Sequence, residues 1–117
     1  VIIAFECTLN AADTLAVVDA TGSKLVQVYF DMANALYYGH DPVTEAKALA
    51  PRIAEVHIKD GTRQAIVPLG EGHVDVAAVI RTLSQCGYDG YYAFETPLKG
   101  DVLQAMARDL AYVKARL

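Results

Sequence analysis

The run Ile53-Ala54-Glu55-Val56-His57-Ile58 is mostly apolar, rich in β-branched residues, and carries an imidazole at its end. Three other runs share this form: Val1-Ile2-Ile3-Ala4-Phe5 before Glu6, Leu25-Val26-Gln27-Val28-Tyr29-Phe30 before Asp31, and Tyr91-Tyr92-Ala93-Phe94 before Glu95. Being apolar rather than strictly alternating, they read as β-strands covered on both faces. Helical patterns fill the gaps. Asn10 and Asp13 form a capping pair ahead of Leu15 and Val18, and Gly22 stops that helix. Asp41-Pro42 is a cap followed by proline at the first helical position, with Glu45 in the first turn. Asp75 caps a third helix with Val76, Val79, Ile80 and Leu83 at helical spacing, ended by Gly87. Asp101 caps a fourth, with Leu103, Met106, Leu110 and Val113 on one face that reads as buried. Strand and helix thus alternate, which predicts a parallel sheet with helices outside it. Both an open doubly wound sheet and a piece of an eight-stranded barrel satisfy that order. A full (β/α)8 barrel takes about 250 residues, so 117 residues would supply roughly half.

Composition narrows the function classes. With 54% apolar and 21% charged residues the chain can bury a core, which excludes a disordered segment. Apolar stretches such as Val1 to Phe5 and Val76 to Ile80 fall far short of the roughly 20 residues of a membrane span. No basic leader with a cleavage site is visible, so no signal peptide is expected, and with no initiator Met the natural N-terminus is expected upstream. Ten Lys and Arg against fourteen Asp and Glu give a net charge of −4, with no basic stripe to meet a nucleic acid. Cys7 and Cys86 are too few for a disulfide scaffold and read as reduced residues of a cytoplasmic protein, Cys86 as packing at a helix end.

The strand ends choose between the two architectures. Glu6, Asp31, His57 and Glu95 each close a strand and recur at about one βαβ unit of 30 residues. Equivalent ends of neighbouring parallel strands would bring them together, as at the C-terminal mouth of a barrel, where barrel enzymes keep their active sites. Three carboxylates and one imidazole form an oxygen-rich ligand set suited to Mn2+, Mg2+ or Co2+ ahead of Zn2+. Without a cation the carboxylates would repel one another. A bound ion could polarise a carbonyl and a neighbouring hydroxyl, and a carboxylate on either side of the substrate could remove and return a proton. The long connection Lys59-Asp60-Gly61-Thr62-Arg63 through Pro68-Leu69-Gly70-Glu71-Gly72-His73 adds Arg63, within reach of an anionic or polyhydroxylated ligand. Simpler roles stand beside these. Asp31 could cap a turn or helix, His57 could be a hydrogen-bonded core histidine, and Lys59 and Asp60 could form a local ion pair. Gly70 and Gly72 read as serving loop conformation, and Tyr37, Tyr38, Tyr91 and Tyr92 as packing residues.

Val28-Tyr29-Phe30-Asp31-Met32-Ala33-Asn34, Val56-His57-Ile58-Lys59-Asp60-Gly61, Pro68-Leu69-Gly70-Glu71-Gly72, Gly87-Tyr88-Asp89-Gly90 and Phe94-Glu95, taken in order, resemble the xylose-isomerase-like TIM-barrel superfamily of sugar and sugar-phosphate isomerases and epimerases, above all its D-tagatose/D-psicose 3-epimerase-like and L-ribulose-5-phosphate 3-epimerase-like members. The resemblance implies that residues 1–117 are the C-terminal half of such a barrel, strands five to eight with their helices. It implies one divalent metal ion on Glu6, Asp31, His57 and Glu95, with Glu6 and Glu95 also the acid–base pair of a proton transfer through a cis-enediolate. It implies substrate contacts from Arg63 and from Asn34, which stands where some members place a histidine, while Cys7 stands where many have asparagine. The expected partner is a small-molecule sugar or sugar phosphate, with no nucleic acid and no membrane. The rest of the barrel would come from an N-terminal half or from a second copy in a homo-oligomer. Three other readings compete: a lyase resembling inosose dehydratase, a nuclease resembling endonuclease IV, which the acidic charge opposes, and a non-catalytic half-barrel that serves assembly.

Overall fold

Parallel strands cannot be joined by a tight turn, and each apolar run is followed by enough chain for a helical crossover. In the computed structural model, which describes residues 1–98 and 100–117, the elements are β1 (Ile3–Phe5), α1 (Ala11–Ala20), β2 (Val26–Asp31), α2 (Met32–Tyr37), α3 (Pro42–Leu49), a 3-10 turn (Ala50–Arg52), β3 (Ile53–Ile58), β4 (Asp60–Gly61), β5 (Ile66–Val67), α4 (Val76–Gln85), β6 (Tyr91–Phe94) and α5 (Val102–Lys114). The main sheet runs β1-β2-β3-β6 with every neighbouring pair parallel, while β4 and β5 form a small antiparallel hairpin inside the long connection. The strands lie side by side in chain order. A doubly wound sheet would reverse that order at a switch point, so this is one continuous stretch of barrel wall.

Local chemistry accounts for the helix starts. Asn10, Asp31, Asp41, Asp75 and Asp101 each cap a helix, their side chains accepting from backbone N–H groups in the first turn, contacts worth about 0.5–2 kcal/mol apiece. Four of these caps are legible in the sequence. The helix α2 after Asp31 is not, because Met32–Tyr37 is too short to show a period.

The core lies between one face of the sheet and the helices. Val28, Phe30, Val56 and Ile58 pack with Val18, Ala46, Leu49, Val79, Ile80 and Leu83. Among the described residues the opposite face is only partly covered: Tyr29 and Glu55 are half-buried, and Tyr91 is 82% exposed. Within the described residues the expectation of strands covered on both faces is therefore not met, and the packing role of Tyr37, Tyr38 and Tyr91 is corrected, all three being exposed. The fourth helix is corrected too. In α5, Ala105, Asp109 and Val113 are buried, whereas Leu103, Met106 and Leu110 face outward. Cys86 is also exposed, at the end of α4.

The long connection is organised by Asp60, which is fully buried. Its carboxylate accepts from the backbone N–H groups of Gly61 (2.8 Å), Gly70 (2.9 Å), Gly72 (3.0 Å) and Val74 (3.1 Å). The local Lys59–Asp60 ion pair is thus not formed: Asp60 serves the loop. The two loop glycines are steric necessities. Gly70 has φ +88°, and a Cβ there would stand 2.6 Å from the Tyr112 ring; a Cβ on Gly72 would collide with the Asp60 carboxylate. Gly72→Ala should cost about 1–3 kcal/mol through overpacking, read as a lower denaturation midpoint in urea.

Candidate metal centre

Register brings the strand-end residues together. Asp31 on β2 lies directly opposite His57 on β3. His57 pairs with Ala93 on β6, and the Glu95 N–H donates to the Ile58 carbonyl at 3.1 Å, extending the same ladder. Glu6 follows Phe5, which pairs with Val28. Glu6, Asp31, His57 and Glu95 each offer a ligand atom, and these atoms lie within 4.8 Å of one another. All four sit at C-terminal strand ends, as the sequence predicts.

Each side chain is held for a local reason. Asp31 is buried and divides its work: Oδ1 accepts from Ala33 and Asn34 N–H, both at 2.8 Å, capping α2, while Oδ2 faces His57 Nδ1 at 3.4 Å. Capping by Oδ1 thus orients Oδ2 toward the cluster. The His57 ring lies 4.0 Å from the Tyr29 ring, whose hydroxyl donates to Glu55 at 3.2 Å. Burial and the Glu55 charge push the Tyr29 hydroxyl up to about 12, so it stays protonated and keeps this donor role. Glu6 Oε1 lies 3.8 Å, and Glu95 Oε2 3.1 Å, from His57 Nδ1.

The donor set fits a cation. His57 Nδ1 is buried, points among three carboxylates, and has no hydrogen-bond partner. A buried polar atom left unpaired costs about 1–3 kcal/mol, and a metal ion on Nδ1 would remove that cost. The alternative of a hydrogen-bonded core histidine does not describe this nitrogen.

The two expected substrate contacts lie differently. The Asn34 amide donates to Glu6 Oε1 at 3.0 Å, so it holds a proposed ligand. Arg63 is exposed in the bend between β4 and β5, outside the four-residue cluster. Cys7, where asparagine was the expected neighbour, contacts the Thr14 hydroxyl at 3.2 Å. One member of the site escaped the sequence reading. Lys59 Nζ donates to Asp31 Oδ2 at 3.0 Å and to Glu95 Oε2 at 2.9 Å. The signal was there: two residues beyond His57 along an extended chain is the same face. Burial alone would lower the Lys59 pKa, but its bonds to Glu95 and Asp31 outweigh burial and raise it. Burial likewise pushes the Glu95 carboxyl up, and the Lys59 hydrogen bond and charge outweigh it, holding Glu95 below the usual carboxylate range.

A stretch of parallel barrel wall with a carboxylate–imidazole cluster at its C-terminal rim defines the class as an α/β-barrel protein. The sequence pattern of the xylose isomerase-like TIM barrel matches residues 1–116, and the chain belongs to that family. It is 35% identical over 96 residues to L-ribulose-5-phosphate 3-epimerase UlaE of an Escherichia coli strain, covering 78% of this chain and 34% of that protein. The xylose isomerase domain protein of Planctomyces limnophilus superposes with a TM-score of 0.86 at 23% identity, over 98% of this chain and 46% of that one. A structure of IOLI protein with a binding zinc atom superposes at 0.79 with 20% identity, over 100% of this chain and 50% of that one. The chain thus spans about a third of the curated relative and about half of each solved neighbour. Among the described residues, no helix is long and apolar enough to cross a membrane.

Proposed function

We propose that the chain is the C-terminal half of the barrel of a divalent-metal-dependent sugar or sugar-phosphate epimerase or isomerase, working in the cytoplasm. The observation that carries this reading is the convergence of four potential ligand atoms within 4.8 Å, one of them the unpartnered His57 Nδ1. Glu6, Asp31, His57 and Glu95 would hold the ion, and the three carboxylates favour Mn2+, Mg2+ or Co2+. The zinc named for the similar IOLI structure keeps Zn2+ among the ions to test. When bound, the ion supplies electrophilic polarisation of a substrate carbonyl and its neighbouring hydroxyl.

The chain's own residues then divide the proton work. Glu6 stands beyond β1 and Glu95 beyond β6, the two outer strands of the sheet, so they flank the centre from either side. One carboxylate removes the proton from the carbon beside the carbonyl, leaving a cis-enediolate, and the other delivers a proton to the opposite face of that carbon. Asn34 holds Glu6 by its amide, and Lys59 holds Glu95 by its hydrogen bond to Oε2. Arg63 orients the sugar from the β4–β5 bend. The similarity to L-ribulose-5-phosphate 3-epimerase supports a ketopentose phosphate as the first substrate to try. Four further strand–helix units complete the barrel on the open β1 and β6 edges, where Ile2, Ile3 and Tyr91 are exposed.

The test uses the full-length protein that carries this half barrel, stripped with a chelator and titrated by calorimetry with Mn2+, Co2+, Mg2+ and Zn2+, then incubated with ketopentose phosphates in D2O. Saturable binding of one ion, with an epimer of unchanged composition carrying solvent deuterium at the inverted carbon, is the expected result. A product lighter by one water would replace the epimerase with a lyase. No ion uptake and no turnover would remove the proposal.

A further inference from the structure

We infer that Lys59 is the built-in counter-ion of this centre: a fixed cation that holds the Asp31 and Glu95 carboxylates together and keeps divalent-ion affinity below that of the bare ligand set. The inference rests on the metal reading proposed above and concerns a residue outside the ligand quartet. The Lys59 side chain is only 7% exposed, and it donates to Asp31 Oδ2 and Glu95 Oε2, the same two oxygens that approach His57 Nδ1 at 3.4 and 3.1 Å. Its position is therefore central. Among the described residues the remaining Lys and Arg ion pairs, Arg52–Asp19 and Arg108–Asp109, lie elsewhere, so Lys59 is the one Lys or Arg paired with this cluster.

The charge arithmetic follows. Three carboxylates against one ammonium leave two negative charges, the number one divalent ion neutralises. Without the ammonium, three carboxylates would face one another uncompensated, and their mutual repulsion would open the cluster. The same extra negative charge would draw a divalent cation more strongly. Lys59 thus trades affinity for a preassembled, exchangeable centre. Its amine acts through Asp31 and Glu95 rather than on substrate, which makes it a positioning residue.

The test compares the parent with Lys59→Met, Lys59→Gln and Lys59→Arg in the full chain, by thermal melting in chelator and by calorimetric titration with MnCl2. Lys59→Met should melt lower without metal and bind Mn2+ on the order of tenfold more tightly. Lys59→Gln keeps a donor without the charge, so it should show the tighter binding with a smaller loss of melting temperature. Lys59→Arg should follow the parent in both. Melting unchanged in Lys59→Met, or Mn2+ affinity equal or weaker in Lys59→Met and Lys59→Gln, would overturn the inference. If the parent takes up no divalent ion, the metal reading falls and the affinity part falls with it; the chelator melts still decide whether Lys59 ties the carboxylates.

Discussion

Glu95→Gln is expected to lower turnover of the full-length protein by about 10²–10⁴-fold, the usual contribution of one positioned acid or base, and Glu6→Gln to do the same. The substitution preserves shape and the Glu95 backbone contact to Ile58, so the ladder between β3 and β6 survives. What it removes is charge. A neutral amide cannot take a proton from carbon, and it is a poor ligand for a hard cation. Its Lys59 partner keeps Asp31 as an anion, so the fold should tolerate the change. The expected observation is a loss in kcat with an unchanged circular dichroism spectrum and a melting temperature in chelator close to that of the parent. Because Glu6 and Glu95 follow the two opposite outer strands, single-turnover reactions in D2O offer a sharper reading. A variant lacking only the abstracting group should fail to lose the substrate proton, and one lacking only the returning group should still exchange it. Parental rates from either variant would refute the acid–base assignment.

Asp60→Ala is expected to be the most destabilising single change in the long connection, by about 3–5 kcal/mol. Four backbone N–H groups, from Gly61, Gly70, Gly72 and Val74, converge on one buried carboxylate. Alanine leaves all four without that acceptor, those of Gly61 and Val74 in buried surroundings. Asp60→Asn keeps one oxygen acceptor and should lose less. Urea unfolding of the full chain with both variants checks the order. A midpoint for Asp60→Ala within error of the parent would show that the loop is not organised from this residue. The effect would also reach the rim, since the β4–β5 hairpin that presents Arg63 begins at Asp60.

The four ligand candidates were legible because strand ends announce themselves: an apolar run stops and a carboxylate or imidazole follows. Lys59 was misassigned to its neighbour Asp60, because adjacency along the chain is a poor guide to contact in a strand, where successive side chains point to opposite faces. Its true partners, Asp31 and Glu95, lie 28 and 36 positions away. Asn34 escaped its role for a related reason. It belongs to α2, a helix too short to read, and its amide reaches Glu6, just beyond β1 and 28 positions away. The outward face of α5 could not be anticipated either, because helical spacing identifies an apolar stripe but not what covers it.

Residue order alone determined the alternation of strand and helix, four of the five helix caps, and the identity of the four side chains at the rim, since all of these follow from local periodicity and short-range hydrogen bonding. Tertiary structure decided how closely those side chains approach one another, which oxygen of Asp31 turns inward, and that Lys59 stands among them. Those outcomes depend on cross-strand register and on the path of helices between strands, which couple residues far apart in the chain.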